Sequence, residues 1–200
     1  MTSICMVRHG ETDWNAAGRL QGKTDIPLND RGIKQAEEAA AHLKNSDWDV
    51  IITSPLKRAR KTAEIIGDGV KVAIVDMAEF QERGYGEAEG LLAEERLEAF
   101  PDKVYPGAET IGELKTRVMD GINKINREYD GKKILLVAHG GVINAILSEL
   151  SMGEIGTGKT KLINTCLSNI EFLEEKWSIR DYNQVGHLSS YSDRGGFNGY

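Results

Sequence analysis

Cysteine is almost missing from this 200-residue chain; Cys5 and Cys166 are the only two. Both sit in apolar, strand-like runs, so buried free thiols are expected rather than a disulfide framework, and a cytoplasmic location fits. No apolar run approaches the ~20 residues that a membrane helix needs, so no membrane partner is expected. Met1-Thr2-Ser3 leads at once into an apolar strand, which argues against a signal peptide. Basic blocks and stripes are missing too, and the net charge is −6. Binding a long polyanion needs clustered Lys and Arg, so nucleic acid is excluded as a general partner. A small phosphorylated metabolite in a local basic pocket remains compatible with an acidic exterior. Metal-ligand spacings such as His-x-x-x-His are lacking, so no metal and no other cofactor is expected.

What is present suits one globular domain. Hydrophobic residues make up 40% and charged residues 28%, enough to build and solvate a sizeable core. No internal repeat or linker interrupts the pattern. A single domain over residues 1–188 is expected, followed by a flexible Ser- and Gly-rich tail over 189–200. Nothing in the pattern fixes an oligomeric state.

Strand-like and helix-like segments alternate, which predicts an α/β fold. A buried strand covers residues 4–7, and a polar loop follows over 13–28. Asn29-Asp30 announces a helix with Ile33, Ala36, Ala40 and Leu43 on one face. A strand over 49–53 leads to Ser54-Pro55, read as a cap followed by proline in the first turn of a helix that stops at Gly67. Further strands are expected over 70–75 and 132–138, and a closing pair over 165–173 and 177–182. Helices are expected over 91–100 and 142–150. Between them Ile111, Leu114, Val118, Ile122 and Ile125 form the apolar stripe of a long amphipathic helix.

Three strand-to-helix junctions carry groups suited to phosphate. The first holds Arg8 and His9, the second Arg58, and the third His139 and Gly140. In a parallel sheet such junctions share one edge and converge. An arginine fork matches phosphate oxygens, and a neutral imidazole can act as nucleophile. His9 would need its second ring nitrogen fixed, and a backbone carbonyl in residues 10–12 would serve. A carboxylic acid must then protonate the leaving oxygen. Glu82, in a glycine-rich stretch, is the candidate; phosphate oxygens nearby would keep it protonated. Glu79, Glu87 and Glu89 compete with it, and Arg60 is the fallback for Arg58.

These residues fall into five ordered motifs. They are Arg8-His9-Gly10-Glu11-Thr12 with Asn15, then Gln21-Gly22, then Ser54-Pro55-Leu56-Lys57-Arg58-Ala59 with Thr62-Ala63. Glu82 with Gly86 and Glu89-Gly90 is the fourth, and His139-Gly140-Gly141 the fifth. In that order and spacing the chain resembles the histidine phosphatase superfamily, in its phosphoglycerate mutase-like branch. The resemblance implies a three-layer α/β/α sandwich with a mixed, mostly parallel sheet and no metal. It implies a phosphohistidine on His9, with Glu82 as proton donor and then as base. It also implies phosphate binding by Arg8, Arg58 and His139, helped by Asn15, with Gln21, Gly22 and Gly140 as further substrate-loop residues.

Two branches of that family compete. Glu82-Arg83 and Tyr85-Gly86 look mutase-like. Mutases, however, are longer and carry adjacent arginines over the substrate. Between residues 90 and 121 this chain has only the isolated Arg96 and Arg117. A phosphatase of small phosphomonoesters is therefore expected, with a 2,3-bisphosphoglycerate-dependent phosphoglycerate mutase as the alternative. A binding module without catalysis is disfavoured, because both histidines, both arginines and the acid are present.

Gly153-Glu154-Ile155-Gly156-Thr157-Gly158-Lys159-Thr160 also satisfies the P-loop pattern of nucleotide hydrolases letter by letter. A P-loop must run from a strand into a helix whose N–H groups face the phosphates. Here a helix is expected before the loop and a strand after it, so a glycine-rich turn is expected instead.

Overall fold

The structure, a computed structural model, describes residues 1–191. A six-stranded sheet forms its centre, in the order β3 (Ile74–Asp76), β2 (Val50–Thr53), β4 (Lys133–Ala138), β1 (Thr2–Arg8), β5 (Leu167–Leu173), β6 (Lys176–Gln184). Strand β1 (Thr2–Arg8) pairs in parallel with β4 (Lys133–Ala138), Arg8 opposite Ala138. On its other side it pairs antiparallel with β5 (Leu167–Leu173), which in turn pairs antiparallel with β6 (Lys176–Gln184). Strand β2 (Val50–Thr53) runs parallel to β4 and to β3 (Ile74–Asp76). The carboxyl ends of β1, β2 and β4 therefore lie on one edge.

The period-two alternation of side chains splits the core into two layers. Ile4, Met6, Ile52, Ile134 and Leu136 face one side, against Leu114, Val118, Ile122 and Ile125 of α5 (Ile111–Glu128) and Val142, Ile143 and Ile146 of α6 (Gly140–Leu150). Cys5, Val7, Ile51, Leu135 and Val137 face the other, against α2 (Asp30–Leu43) and α3 (Lys57–Val70). That second layer is lined with alanines, namely Ala39, Ala40, Ala59 and Ala63, which lets α2 and α3 approach closely. Helices thus cover both faces of a mixed, mostly parallel sheet, as expected.

Several local expectations change. The polar loop contains a short helix, α1 (Asp13–Ala17), started by a reciprocal cap: Thr12 Oγ1 accepts from Asn15 N–H, and Asn15 Oδ1 accepts from Thr12 N–H. Ser54 does not cap α3, whose N-cap is Leu56 and whose last residue is Val70 rather than Gly67. Asp25 instead accepts from Lys57 N–H at 2.7 Å in the first turn. The third strand shrinks to Ile74–Asp76 because Val70 still belongs to the helix. On α2, Ile33 is only half-buried, whereas Gln35 is buried because Glu11 N–H donates to its Oε1 at 2.9 Å.

The segment over 91–100 forms α4 (Ala93–Ala99), which buries no residue. The P-loop look-alike is a turn folded back on α6: Thr157 N–H donates to Asn144 O, and Asn144 Nδ2 donates to Thr160 O. A helix precedes it and β5 follows, so the geometry of a nucleotide cradle is not built. At the end of the chain, Ser189 donates from its backbone N–H to Glu38 Oε2 at 3.2 Å. Of the expected tail, residues 192–200 lie outside the described residues.

Candidate active site

Arg8 and His9 leave the end of β1, Arg58 projects from the first turn of α3, and His139 is the N-cap of α6. Arg8, His9, Arg58 and Gly140 line one cavity, together with Asn15, Gln21, Gly22 and Glu82. His139 stands beside it, its ring centroid 5.1 Å from that of His9. The nine sequence-selected residues are thus brought together at the sheet edge.

Close backbone approach fixes the His9 loop. A Cβ on Gly10 would lie 2.4 Å from Gly32 O, so the loop after β1 can pack on α2 only with glycine there. Gly10 N–H donates to Thr62 Oγ1, which itself donates to Arg58 O at 2.8 Å. From behind, Thr165 N–H donates to Arg8 O, and Asn164 Nδ2 donates to His9 O at 3.0 Å.

His9 Nδ1 lies 2.7 Å from Gly10 O. A carbonyl only accepts, so Nδ1 carries the ring proton and Nε2 keeps its lone pair. Burial pushes the His9 imidazole well below its ordinary range, and the charges of Arg58 and Arg8 add to this, against the smaller opposing effect of the Gly10 carbonyl. The ring is therefore a neutral base at pH 7. His139 is pushed down for the same first reason, burial, followed by Arg58 and His9.

The cations are held by backbone carbonyls. Arg58 donates from Nη1 to Thr24 O at 2.9 Å and from Nη2 to Gly22 O at 2.7 Å. Arg8 donates from Nη1 to Leu162 O at 2.5 Å. Burial lowers the Arg58 guanidinium to about 10, with Glu82 and Asp25 opposing the fall, so it stays charged at neutral pH. Arg58 Nε and His139 Nδ1 are buried without a hydrogen-bond partner among the described residues. Two such donors beside one cavity suit an oxyanion, which would supply the missing acceptors.

Glu82 is buried and anchored at both oxygens. Oε2 accepts from Gly141 N–H at 3.0 Å, in the first turn of α6, and Oε1 accepts from Arg83 N–H at 2.9 Å. Its competitors are elsewhere. Glu79 pairs with Lys124 at 3.0 Å, and Glu87 is exposed. Glu89 is a clamp: it accepts from Lys23 N–H, Thr24 N–H and Tyr85 N–H, and so ties the Gln21 loop to the Glu82 segment. Arg60 points away, to Asp76 at 2.8 Å and Glu64 at 3.2 Å.

Asn15 lines the cavity with its Oδ1 held by Thr12 N–H and by Asn164 Nδ2. Gln21 Oε1 accepts from Thr12 Oγ1, and Gly22 contributes the carbonyl that holds Arg58. Thr12 and Gly141 stand in the sequence motifs without an assigned role, and Asn164 lies outside them. Only the Thr12-x-x-Asn15 spacing carried a local signal, that of a helix cap. Among the described residues no group of three or more His, Cys, Asp or Glu side chains is placed to hold a metal ion, and no helix is long and apolar enough to cross a membrane.

Comparison with known proteins places the chain in a family. The chain is 54% identical over 191 residues to PhoE of Bacillus subtilis, described as an uncharacterized phosphatase, covering 96% of this chain and 99% of that one. It is 33% identical to a metal-independent phosphoserine phosphatase of Arabidopsis thaliana, covering 95% and 84%. A mutant phosphoserine phosphatase of Entamoeba histolytica, solved in complex with phosphoserine, superposes with a TM-score of 0.82 at 28% identity, covering 94% of this chain and all (100%) of that one. Residues 4–185 match the family model of the histidine phosphatase superfamily, branch 1, and the chain belongs to that superfamily.

Proposed function

We propose that this protein is a phosphatase that hydrolyses small phosphomonoesters through a phosphohistidine on His9. The observation that carries the reading is the His9 Nδ1 to Gly10 O contact, which leaves Nε2 as a lone-pair donor in a cavity lined by two buried guanidiniums. Nε2 attacks phosphorus in line, and the phosphorus–ester oxygen bond breaks with its electron pair passing to the leaving oxygen. Glu82 gives that oxygen a proton. Water then attacks the phosphohistidine, Glu82 takes up its proton, and the N–P electron pair returns to Nε2. Arg8, Arg58 and His139 balance the charge of the three non-bridging oxygens, which is the main electrostatic demand of phosphoryl transfer. Asn15 presents its amide to the same group.

Protein cations fill the role that a metal ion plays in other phosphatases, so activity is expected to survive a chelator. The similarity to phosphoserine and other phosphatases supports hydrolysis over isomerisation. So does Arg117, which grips Glu109 at 2.8 Å and the carbonyls of Glu79 and Gln81 rather than standing over the cavity. Two free, buried thiols suit a cytoplasmic enzyme.

The test is rapid quench of the enzyme with a phosphomonoester in the presence of EDTA, with His9 read by mass spectrometry and phosphate release measured in parallel. A phosphate adduct on His9 and its loss in His9→Ala are expected. Normal turnover by His9→Ala would overturn the reading. Conversion of 3-phosphoglycerate to 2-phosphoglycerate outrunning phosphate release would move the enzyme to the mutase branch.

A further inference from the structure

Three arginines line the cavity, and only two have a place in phosphate binding. The third is Arg19. Helix α1 ends at Gly18 in the left-handed region (φ 73°), and the turn places Arg19 at the rim with its side chain 41% exposed. Its Nη1 donates to Gly90 O at 2.7 Å and lies 3.7 Å from Glu95 Oε2. That carboxylate oxygen already accepts from Leu92 N–H at 2.7 Å. Nε and Nη2 of Arg19 make no hydrogen bond to a described residue, so most of its donor fork is available.

We propose that Arg19 binds a second anionic group carried by the leaving group, and so selects phosphomonoesters that also bear a carboxylate or a second phosphate. This rests on the phosphatase reading above. A phosphoryl group seated on Arg8 and Arg58 directs its ester oxygen toward Glu82, and the rest of the substrate then extends to the cavity rim. Arg19 is the cation among the residues lining that rim. The other arginines of this region are engaged differently. Arg83 donates from Nε to Glu109 O and lies over the Tyr85 ring at 4.9 Å, and Arg117 is bound by Glu109. A neutral leaving group would gain nothing from Arg19, whereas an anionic one would gain a charge-assisted contact.

The experiment compares matched substrates with wild type, Arg19→Ala and Arg19→Lys. O-phosphoserine against phosphoethanolamine isolates the carboxylate, and fructose 1,6-bisphosphate against fructose 6-phosphate isolates the second phosphate. Wild type is expected to favour the anionic member of at least one pair. Arg19→Ala is expected to raise KM for that member roughly ten- to a hundredfold, as loss of a hydrogen bond to a charged group does, with little change for its partner. Arg19→Lys is expected to recover part of the difference. Equal losses for both members would show that Arg19 only ties α1 to Gly90, and absence of a wild-type preference in either pair would overturn the proposal as well. Failure of the phosphatase reading looks different: wild type then hydrolyses none of the four.

Discussion

Ser54 Oγ lies 2.7 Å from His139 Nε2, and Leu56 N–H donates to the same oxygen at 3.3 Å. That oxygen can accept from Leu56 and still give its own proton to Nε2, the arrangement in which Nδ1 is free to donate to an anion. The ring proton of neutral His139 then sits on Nδ1, the buried nitrogen that has no other partner among the described residues. Ser54 is thus a positioning residue that keeps His139 a hydrogen-bond donor toward phosphate. Ser54→Ala is expected to lower kcat/KM roughly five- to tenfold, the scale of one hydrogen bond. Ser54→Thr, which keeps the hydroxyl, is expected to recover most of it. Steady-state kinetics on both variants checks this, and unchanged kinetics in Ser54→Ala would remove Ser54 from the site.

Glu82 as proton donor predicts a dependence on the leaving group. Glu82→Gln keeps an acceptor oxygen for one of the Gly141 and Arg83 N–H groups, turns its NH2 to the other, and cannot transfer a proton. For an alkyl phosphate the expected loss in kcat is about 10²–10⁴-fold. For p-nitrophenyl phosphate, whose leaving group needs no proton, phosphorylation of His9 should be nearly normal. A pre-steady-state burst of nitrophenol followed by slow turnover is the expected trace. An equal loss of the burst with both substrates would assign Glu82 a different role.

Gly141 holds Glu82 by its backbone and leaves it room. A Cβ there would lie 2.4 Å from Glu82 Oε1, so Gly141→Ala must displace the carboxylate. The clash is with a side-chain end and not with backbone, so folding should persist. Activity on alkyl phosphates should fall by at least tenfold with an unchanged far-ultraviolet circular dichroism spectrum. Gly10→Ala is the contrast, because its Cβ would meet the backbone oxygen of Gly32 at 2.4 Å. There the expected result is a loss of stability of about 2 kcal/mol or more, seen as an earlier urea midpoint.

The strand ends were the legible part of the site. Arg8, His9 and His139 follow apolar runs that can only be buried strands, and parallel pairing brings such ends together. The α2 cap at Asn29 and the α5 stripe were legible for the same reason, since local spacing decides them. The misread residues are those whose partners lie far away in sequence. Ser54 looks like a helix cap until His139, eighty-five positions on, takes its hydroxyl. Glu89 looks like a rival acid until Lys23 and Thr24 donate to it across the cavity mouth. Helix α1 is five residues long and has little amphipathic pattern to read; its reciprocal cap and Asn164 secure it. Arg19 follows a turn and carries no periodic signal at all.

The two buried histidines also predict how stability responds to acid. Burial, ahead of neighbouring charges, holds His9 and His139 well below the ordinary histidine value in the folded protein. In the unfolded chain both titrate near 6.5. Below that pH the unfolded chain takes up protons that the folded protein does not, so stability is full above about pH 6.5 and falls as the pH drops. Each histidine contributes about 1.4 kcal/mol per pH unit within that window. The window lies above the range in which carboxylates begin to matter, such as Glu109, which burial raises but Arg117 and its other partners bring below the usual value. Thermal denaturation from pH 7 to pH 5 should therefore show a falling midpoint. The double variant His9→Gln/His139→Gln should flatten that slope without abolishing it. His187 is also lowered by burial, with His42 stacked at 5.3 Å adding to it, and supplies a residual slope of the same sign. A double variant with the slope of the parent would show that the acid sensitivity arises elsewhere in the protein.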